Sequence, residues 1–315
     1  MKKGFLVLFA PLFALSLSAQ ESQTAYQFLR LPVSAHGAAL GGENITLIED
    51  DPSLIFSNPA LLTSVSSRSI GLNYMNYMSG VNTASATYAW TPKDRITAGA
   101  SAQLFDYGKM KEMDANHVET GEFSARDISI CAYLSYNLTN HLAGGISAKW
   151  ITSYIGGYNS IAMCVDLGLN YYDPESDLGI GLVAKNLGGQ LKAFDDNYEK
   201  MPLDVQLGVS KRLVHTPFRF SATLSNLTNW DIKFINHLSV GADVIFSPQI
   251  YVALGYNFRR NNEMKILTTL EEESSHGAGL TLGAGINLDR FKLNIAYGKY
   301  HVSSSSILLN VAYSL

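Results

Sequence analysis

From Ser69 to the C-terminus, apolar and polar positions alternate in short runs. Leu203, Val205, Leu207 and Val209 take turns with Asp204, Gln206, Gly208 and Ser210. Leu280, Leu282, Ala284 and Ile286 stand against Thr281, Gly283, Gly285 and Asn287, and Phe291, Leu293, Ile295 and Tyr297 repeat the pattern. Successive side chains on a strand point to opposite faces, so each run has one apolar face and one polar or small face. Helical spacing fails in all of them. Segmented at its turn signals, the pattern predicts fourteen strands. The odd-numbered connections include the long stretches 106–125, 189–202, 227–234 and 260–276, whereas the even-numbered ones stay as short as 91–94, 138–141 and 247–248. An even strand count, with short turns on one rim and long loops on the other, is the layout of an outer-membrane barrel. A soluble sandwich has no reason to sort its loops by parity. Tyr88, Trp90, Tyr136 and Phe246 fall near predicted strand ends, as an interfacial girdle requires. The predicted class is all-β: a 14-stranded antiparallel transmembrane β-barrel over 67–315.

The first residues set the compartment. Met1-Lys2-Lys3, an apolar run over 4–17 and the small residues Ser18-Ala19 read as a signal peptide over 1–19. The chain is expected in the outer membrane of a Gram-negative bacterium, with both termini on the periplasmic side. Residues 20–66 do not alternate. Gly41-Gly42 predicts a tight turn, because glycine reaches positive φ without penalty. Asp51-Pro52 and Asn58-Pro59-Ala60 each pair a capping side chain with proline at the first helical position, predicting two short helical turns. A fourteen-stranded lumen is too wide for its own side chains to fill. Residues 20–66 are therefore read as an N-terminal plug, with a periplasmic tail outside the barrel as the alternative.

Composition narrows the function. Charged residues make up 16% of the 315 positions, against about 25% in ordinary soluble domains. The net charge of −4 offers no basic face for nucleic acid. Lys149, Asp166, Asp204, Arg219, Asp243 and Lys292 share the inward parity of their strands. A charge facing lipid at mid-depth costs about 2–4 kcal/mol, so their lumen position supports the strand register. Cys131 and Cys164 lie two strands apart, roughly 9–10 Å, too far for a disulfide. No Gly-x-Ser start is completed to a nucleophile elbow, and the seven histidines show no metal-ligand spacing. The expectation is a non-enzymatic protein with no cofactor and no metal. Partner contacts are expected at two places: the long loops, 106–125 and the acidic one with Glu271, Glu272 and Glu273, and an outward stripe of small residues including Ala86 and Ala100. Small residues let another backbone approach closely within a membrane.

One block carries a resemblance. Phe28-Leu29-Arg30-Leu31-Pro32-Val33-Ser34-Ala35-His36-Gly37-Ala38-Ala39-Leu40-Gly41-Gly42, followed by Asp50-Asp51-Pro52 and Asn58-Pro59-Ala60-Leu61-Leu62, resembles the PorV/PorQ family of type IX secretion outer-membrane proteins. That family is related to FadL-type barrels, which share the Asn-Pro-Ala element. The compact length is closer to the PorQ branch. His36 stands where the pattern has arginine, which weakens any charge-based role for that position. The resemblance implies a plugged 14-stranded barrel. It further implies a membrane anchor of the cell-surface attachment complex. A PorZ-like surface protein would be held through the outer loops, with a PorU sortase and a PorV-like barrel as companions. Outer-membrane lipid and the lipopolysaccharide to which cargo is attached would surround it. The FadL relationship implies the alternative, a channel for hydrophobic or small solutes.

Overall fold

A computed structural model describes residues 24–315 apart from 79, 115–117, 268–272, 275–276 and 302–303. The proposed signal peptide lies outside the described residues. Fourteen antiparallel strands close into a barrel. They are β1 (Ser69–Met78), β2 (Val81–Lys93), β3 (Ile96–Met113), β4 (Glu119–Asn137), β5 (Leu142–Ile155), β6 (Tyr158–Asp173), β7 (Leu178–Lys192), β8 (Asp204–Arg212), β9 (Phe218–Leu224), β10 (Leu238–Ser247), β11 (Ile250–Asn257), β14 (Leu280–Asn287), β15 (Phe291–His301) and β16 (Ser304–Ser314). Within the β11–β14 connection, β12 (Ile266–Leu267) and β13 (Glu273–Ser274) form a two-residue ladder. Each barrel strand pairs with its chain neighbours. β16 closes the ring on β1, with Ser69 opposite Ser314 and Asn76 opposite Ile307.

The period-two pattern becomes a two-sided wall. Along β1, Ile70, Leu72 and Tyr74 are exposed on the outer face while Asn73 and Met75 are buried inside. Leu134, Ile146, Leu169 and Leu207 continue the outer band around the ring. Short turns at 94–95, 138–141, 174–177 and 248–249 line the rim that also holds the C-terminus. The longer connections at 193–203, 225–237 and 258–279 lie on the distal rim.

Two expectations are corrected. The predicted loop 106–125 is largely strand, because β3 and β4 run on as a hairpin beyond the barrel body. Lys109 pairs with Glu122 at 3.0 Å and Lys111 with Glu119 at 2.7 Å across this extension. Both of its faces meet water, so no apolar alternation marks it in the sequence. The second correction concerns the chain ends. The Ala25 N–H donates to Lys200 O at the distal rim, whereas the Leu315 N–H donates to Arg68 O at the short-turn rim. The described ends thus lie at opposite rims, because residues 24–66 traverse the lumen.

That segment is the plug. It comprises a 3-10 turn at Gln27–Arg30, the single-turn helix α1 (Ala35–Ala39), and 3-10 turns at Pro52–Phe56 and Pro59–Ser64. Ser34 caps α1 through a hydrogen bond from the Gly37 N–H. Ala35, Ala39, Leu47, Leu54 and Leu61 are all but fully buried, so the barrel's core is the contact between plug and wall. Glycines on the wall make room for it. A Cβ on Gly145 of β5 would strike the backbone of Pro59 and Ala60, and one on Gly255 of β11 would strike Gly41.

Candidate functional site

The lumen holds a filled lower part and an open mouth at the distal rim. In the filled part, α1 is held to β9 and β10 by a closed square of charges. His36 bonds the Glu49 carboxylate through Nδ1 and the Asp243 carboxylate through Nε2, each at 2.8 Å. Arg219 donates from Nε to Asp243 at 2.7 Å and from Nη2 to Glu49 at 2.8 Å. The Tyr251 ring stacks on the imidazole at 3.8 Å between centroids. Burial opposes a charge on His36, but the two carboxylates outweigh it and raise its pKa to about 9. Burial likewise works against the Glu49 carboxylate, yet His36 and Arg219 hold it down at about 2. Two buried cations thus neutralise two buried anions. This corrects the reading of His36: imidazolium serves the charged role in this square.

The other lumen charges are distributed around the plug. Lys149 meets Asp166 at 2.7 Å and donates to Asn186 Oδ1 at 2.9 Å. Asn186 sits at φ 61° in a bulge of β7, and its N–H donates to Asp166 at 2.8 Å. Lys292 pairs with Asp50 of the plug. Asp204 accepts from the Asn226 N–H and from Gln206 Nε2, both at 2.6 Å. The plug motif residues shape the segment that these charges hold. Gly41 and Gly42 take φ of 95° and 89° in the turn after α1. Asp51 caps Pro52–Phe56 by accepting from the Ser53 N–H at 2.8 Å. Asn58 accepts from the Ala60 N–H at 2.9 Å and reaches the wall by donating to Leu169 O at 3.3 Å.

The expected partner contacts lie elsewhere. Ala86 and Ala100 are exposed on the outer face of β2 and β3, where Ala86 pairs with Ala102 and Ala100 with Tyr88. Glu271 and Glu272 lie outside the described residues, and Glu273 begins β13. Cys131 and Cys164 are buried free thiols. Among the described residues no cluster of His, Cys, Asp and Glu could hold a metal ion.

Sequence reasoning missed two groups. Lys185 and Asp127 share inward parity with Val183 and Cys131, a signal that was present in the pattern. Glu43, Glu49, Arg259 and Arg260 lie outside the regular strands, where parity says nothing. Arg259 binds Glu43 at 2.8 Å from the single-turn helix α2 (Phe258–Glu263). That pairing raises the Arg259 pKa, and it holds Glu43 below the usual carboxylate range even though burial opposes the Glu43 charge.

The mouth is a cavity of about 420 Å³ between the plug turn Gln27–Arg30, β3 and α2. Phe28, Phe105, Tyr77 and Tyr107 form an aromatic wall on one side, with Phe28 and Phe105 rings 6.0 Å apart. Arg260 stands over the Tyr300 ring at 4.0 Å, and the Tyr77 hydroxyl donates to Tyr300 O at 3.3 Å. Arg260 donates from Nη2 to Gly41 O at 3.2 Å, while its Nη1 and the Tyr300 hydroxyl are buried without a protein hydrogen-bond partner. Beneath it the lumen narrows to a cavity of about 30 Å³ beside Lys185 and Asp204.

The fold has solved counterparts. The TodX deltaS2S3 mutant, a monoaromatic hydrocarbon channel, superposes with a TM-score of 0.62 at 15% identity, over 90% of this chain and 98% of that one. CymD, also a monoaromatic hydrocarbon channel, gives 0.61 at 14% identity, covering 90% and 97%. A FadL homologue from Pseudomonas aeruginosa gives 0.54 at 11% identity, covering 90% and 99%. The chain has a FadL-like barrel fold. No protein-family model and no curated protein sequence matches it.

Proposed function

We propose that the chain is a FadL-like outer-membrane barrel that takes a hydrophobic or small solute into its distal mouth. The observation that carries this reading is the cavity of about 420 Å³ at the distal mouth, lined by Phe28, Tyr77, Phe105 and Tyr107, with Arg260 packed on Tyr300 beside them. Aromatic side chains beside convergent polar groups are a usual form of a small-molecule site, and here the polar side also carries Arg30, Glu43, Arg259 and Glu263. The fold shared with hydrocarbon channels supports it. The test is binding of toluene to the purified barrel by calorimetry, beside Phe28→Ala, which takes one ring from the aromatic wall. Saturable binding that Phe28→Ala weakens supports the proposal. No binding to the native chain rejects it.

A second reading is favoured by the filled lumen: an anchor in the type IX attachment complex, holding a PorZ-like protein near a PorU sortase and a PorV-like barrel. His36, Ala39, Leu47 and Leu54 are buried beneath the mouth, and the β3–β4 hairpin projects beyond the barrel body as a surface for a partner. Affinity purification from outer membranes distinguishes the readings. Recovery of these partners supports the anchor, and their absence beside saturable solute binding supports the channel.

A further inference from the structure

The height of the wall and the height of the lipid do not match on one side of the barrel. β9 has 7 residues, whereas β3 has 18 and β4 has 19. At ~3.4 Å per residue and a tilt of ~40°, β9 rises roughly 18 Å, short of an apolar band about 25 Å tall. Its neighbours β8 and β10 have 9 and 10 residues, so the wall is lowest at β9 itself. Something else must face the upper part of the bilayer there.

The connection 225–237 between β9 and β10 is placed to do so. It does not lift away from the barrel: the Leu227 N–H donates to Val205 O at 3.1 Å, and Thr228 Oγ1 donates to Leu203 O at 3.4 Å. The segment therefore prolongs the line of β9 alongside the chain that enters β8. Its inner side is buried at Ser225, Asn226 and His237, with the Ser225 N–H donating to His237 O at 2.8 Å. Its outer side carries Trp230, Phe234 and Ile235, exposed by 66%, 62% and 44%. Those values match Leu72 and Ile130 on the lipid-facing strands, at 55% and 57%. The two aromatic rings are not loose, because they pack against buried His237 at 5.3 Å and 6.5 Å. Lys233 lies exposed between them, and an aromatic pair with a lysine is the composition of an interfacial anchor.

The geometry points to 225–237 as a membrane-embedded part of the wall, with Trp230, Phe234 and Ile235 seated in the leaflet on the distal side. The partner of this surface is lipid. Continuity with the outer face of β9 carries the assignment: exposed Phe218 and Phe220, then half-buried Ala222 and Leu224, run along one face up to the segment. Left in water, the same side chains would extend an apolar patch that soluble surfaces avoid.

The full chain folded into phosphatidylcholine vesicles tests this. Trp90→Phe and Trp150→Phe together leave Trp230 as the single tryptophan. Replacing the lipid with its dibrominated analogue then removes about half or more of the Trp230 emission, as for other interfacial tryptophans, while aqueous iodide has little effect. Strong iodide quenching with no response to brominated lipid overturns the proposal and places the loop in water, open to a protein. Should the double variant fold poorly, Trp230→Phe in the otherwise native chain gives the same answer. Loss of a bromine-sensitive share of the emission supports the assignment, and an unchanged share rejects it.

Discussion

The two halves of the plug are held to the barrel by different physics. The α1 half meets β9 and β10 through the charge square of His36, Glu49, Asp243 and Arg219. The Pro52–Ser64 half meets β4, β5 and β6 through backbone approach, where Ser135 bonds Pro59 O and Gly145 and Gly168 leave no room for a side chain. A backbone contact is indifferent to protons and salt, whereas a buried ion square depends on the state of each member. One half is a fixed seat and the other a fastening that chemistry can undo.

Breaking the square has the largest expected effect. His36→Ala leaves Glu49 and Asp243 facing a single arginine and costs about 3–5 kcal/mol in urea unfolding from vesicles, since one partner of a buried set is gone. Gly145→Val attacks the fixed seat instead. Overpacking costs about 1–3 kcal/mol, and here the obstacle is backbone that cannot turn aside, so a value at the top of that range is expected in the same measurement.

Alkaline pH sharpens the contrast. His36 has a raised folded pKa, so its contribution is complete below its ordinary 6.5 and is lost as pH rises through about 9. Unfolding free energy should fall by roughly 1–3 kcal/mol between pH 7 and pH 10. His36→Arg, which keeps its charge across that window, should flatten the profile. Gly145→Val should leave the slope as it is in the native chain. Asn58→Ala removes a cap and one wall contact, for about 1 kcal/mol. Lys109→Ala, in an exposed pair far from either half of the plug, should leave the unfolding midpoint unchanged.

The barrel was legible because lipid and lumen impose opposite demands on alternate residues, so Leu203–Ser210 or Leu280–Asn287 announces its own face. The capped turns at Asp51 and Asn58 were legible because capping is local. Parity also placed Lys149, Asp166, Arg219, Asp243 and Lys292 in the lumen. Their partners were not legible where those partners sit on the plug. Glu49 and Asp243 are joined through His36 across nearly two hundred positions, and no period connects them. The β3–β4 extension escaped for a different reason, since a hairpin wet on both sides has no apolar face to show.

The route of residues 24–66 through the lumen bears on the order of assembly. The plug ends at the short-turn rim and leads directly into β1, while the seam that shuts the ring is made by β16, the last strand of the chain. Once that seam has formed, a folded segment bonded to the wall from Lys200 to Lys292 has no side entrance. A plug arriving later would have to thread through an open end of the barrel, so the shorter route has it in place, at least as a loose strand, when the first and last strands meet. On that route it acts as a mandrel around which the sheet is curled.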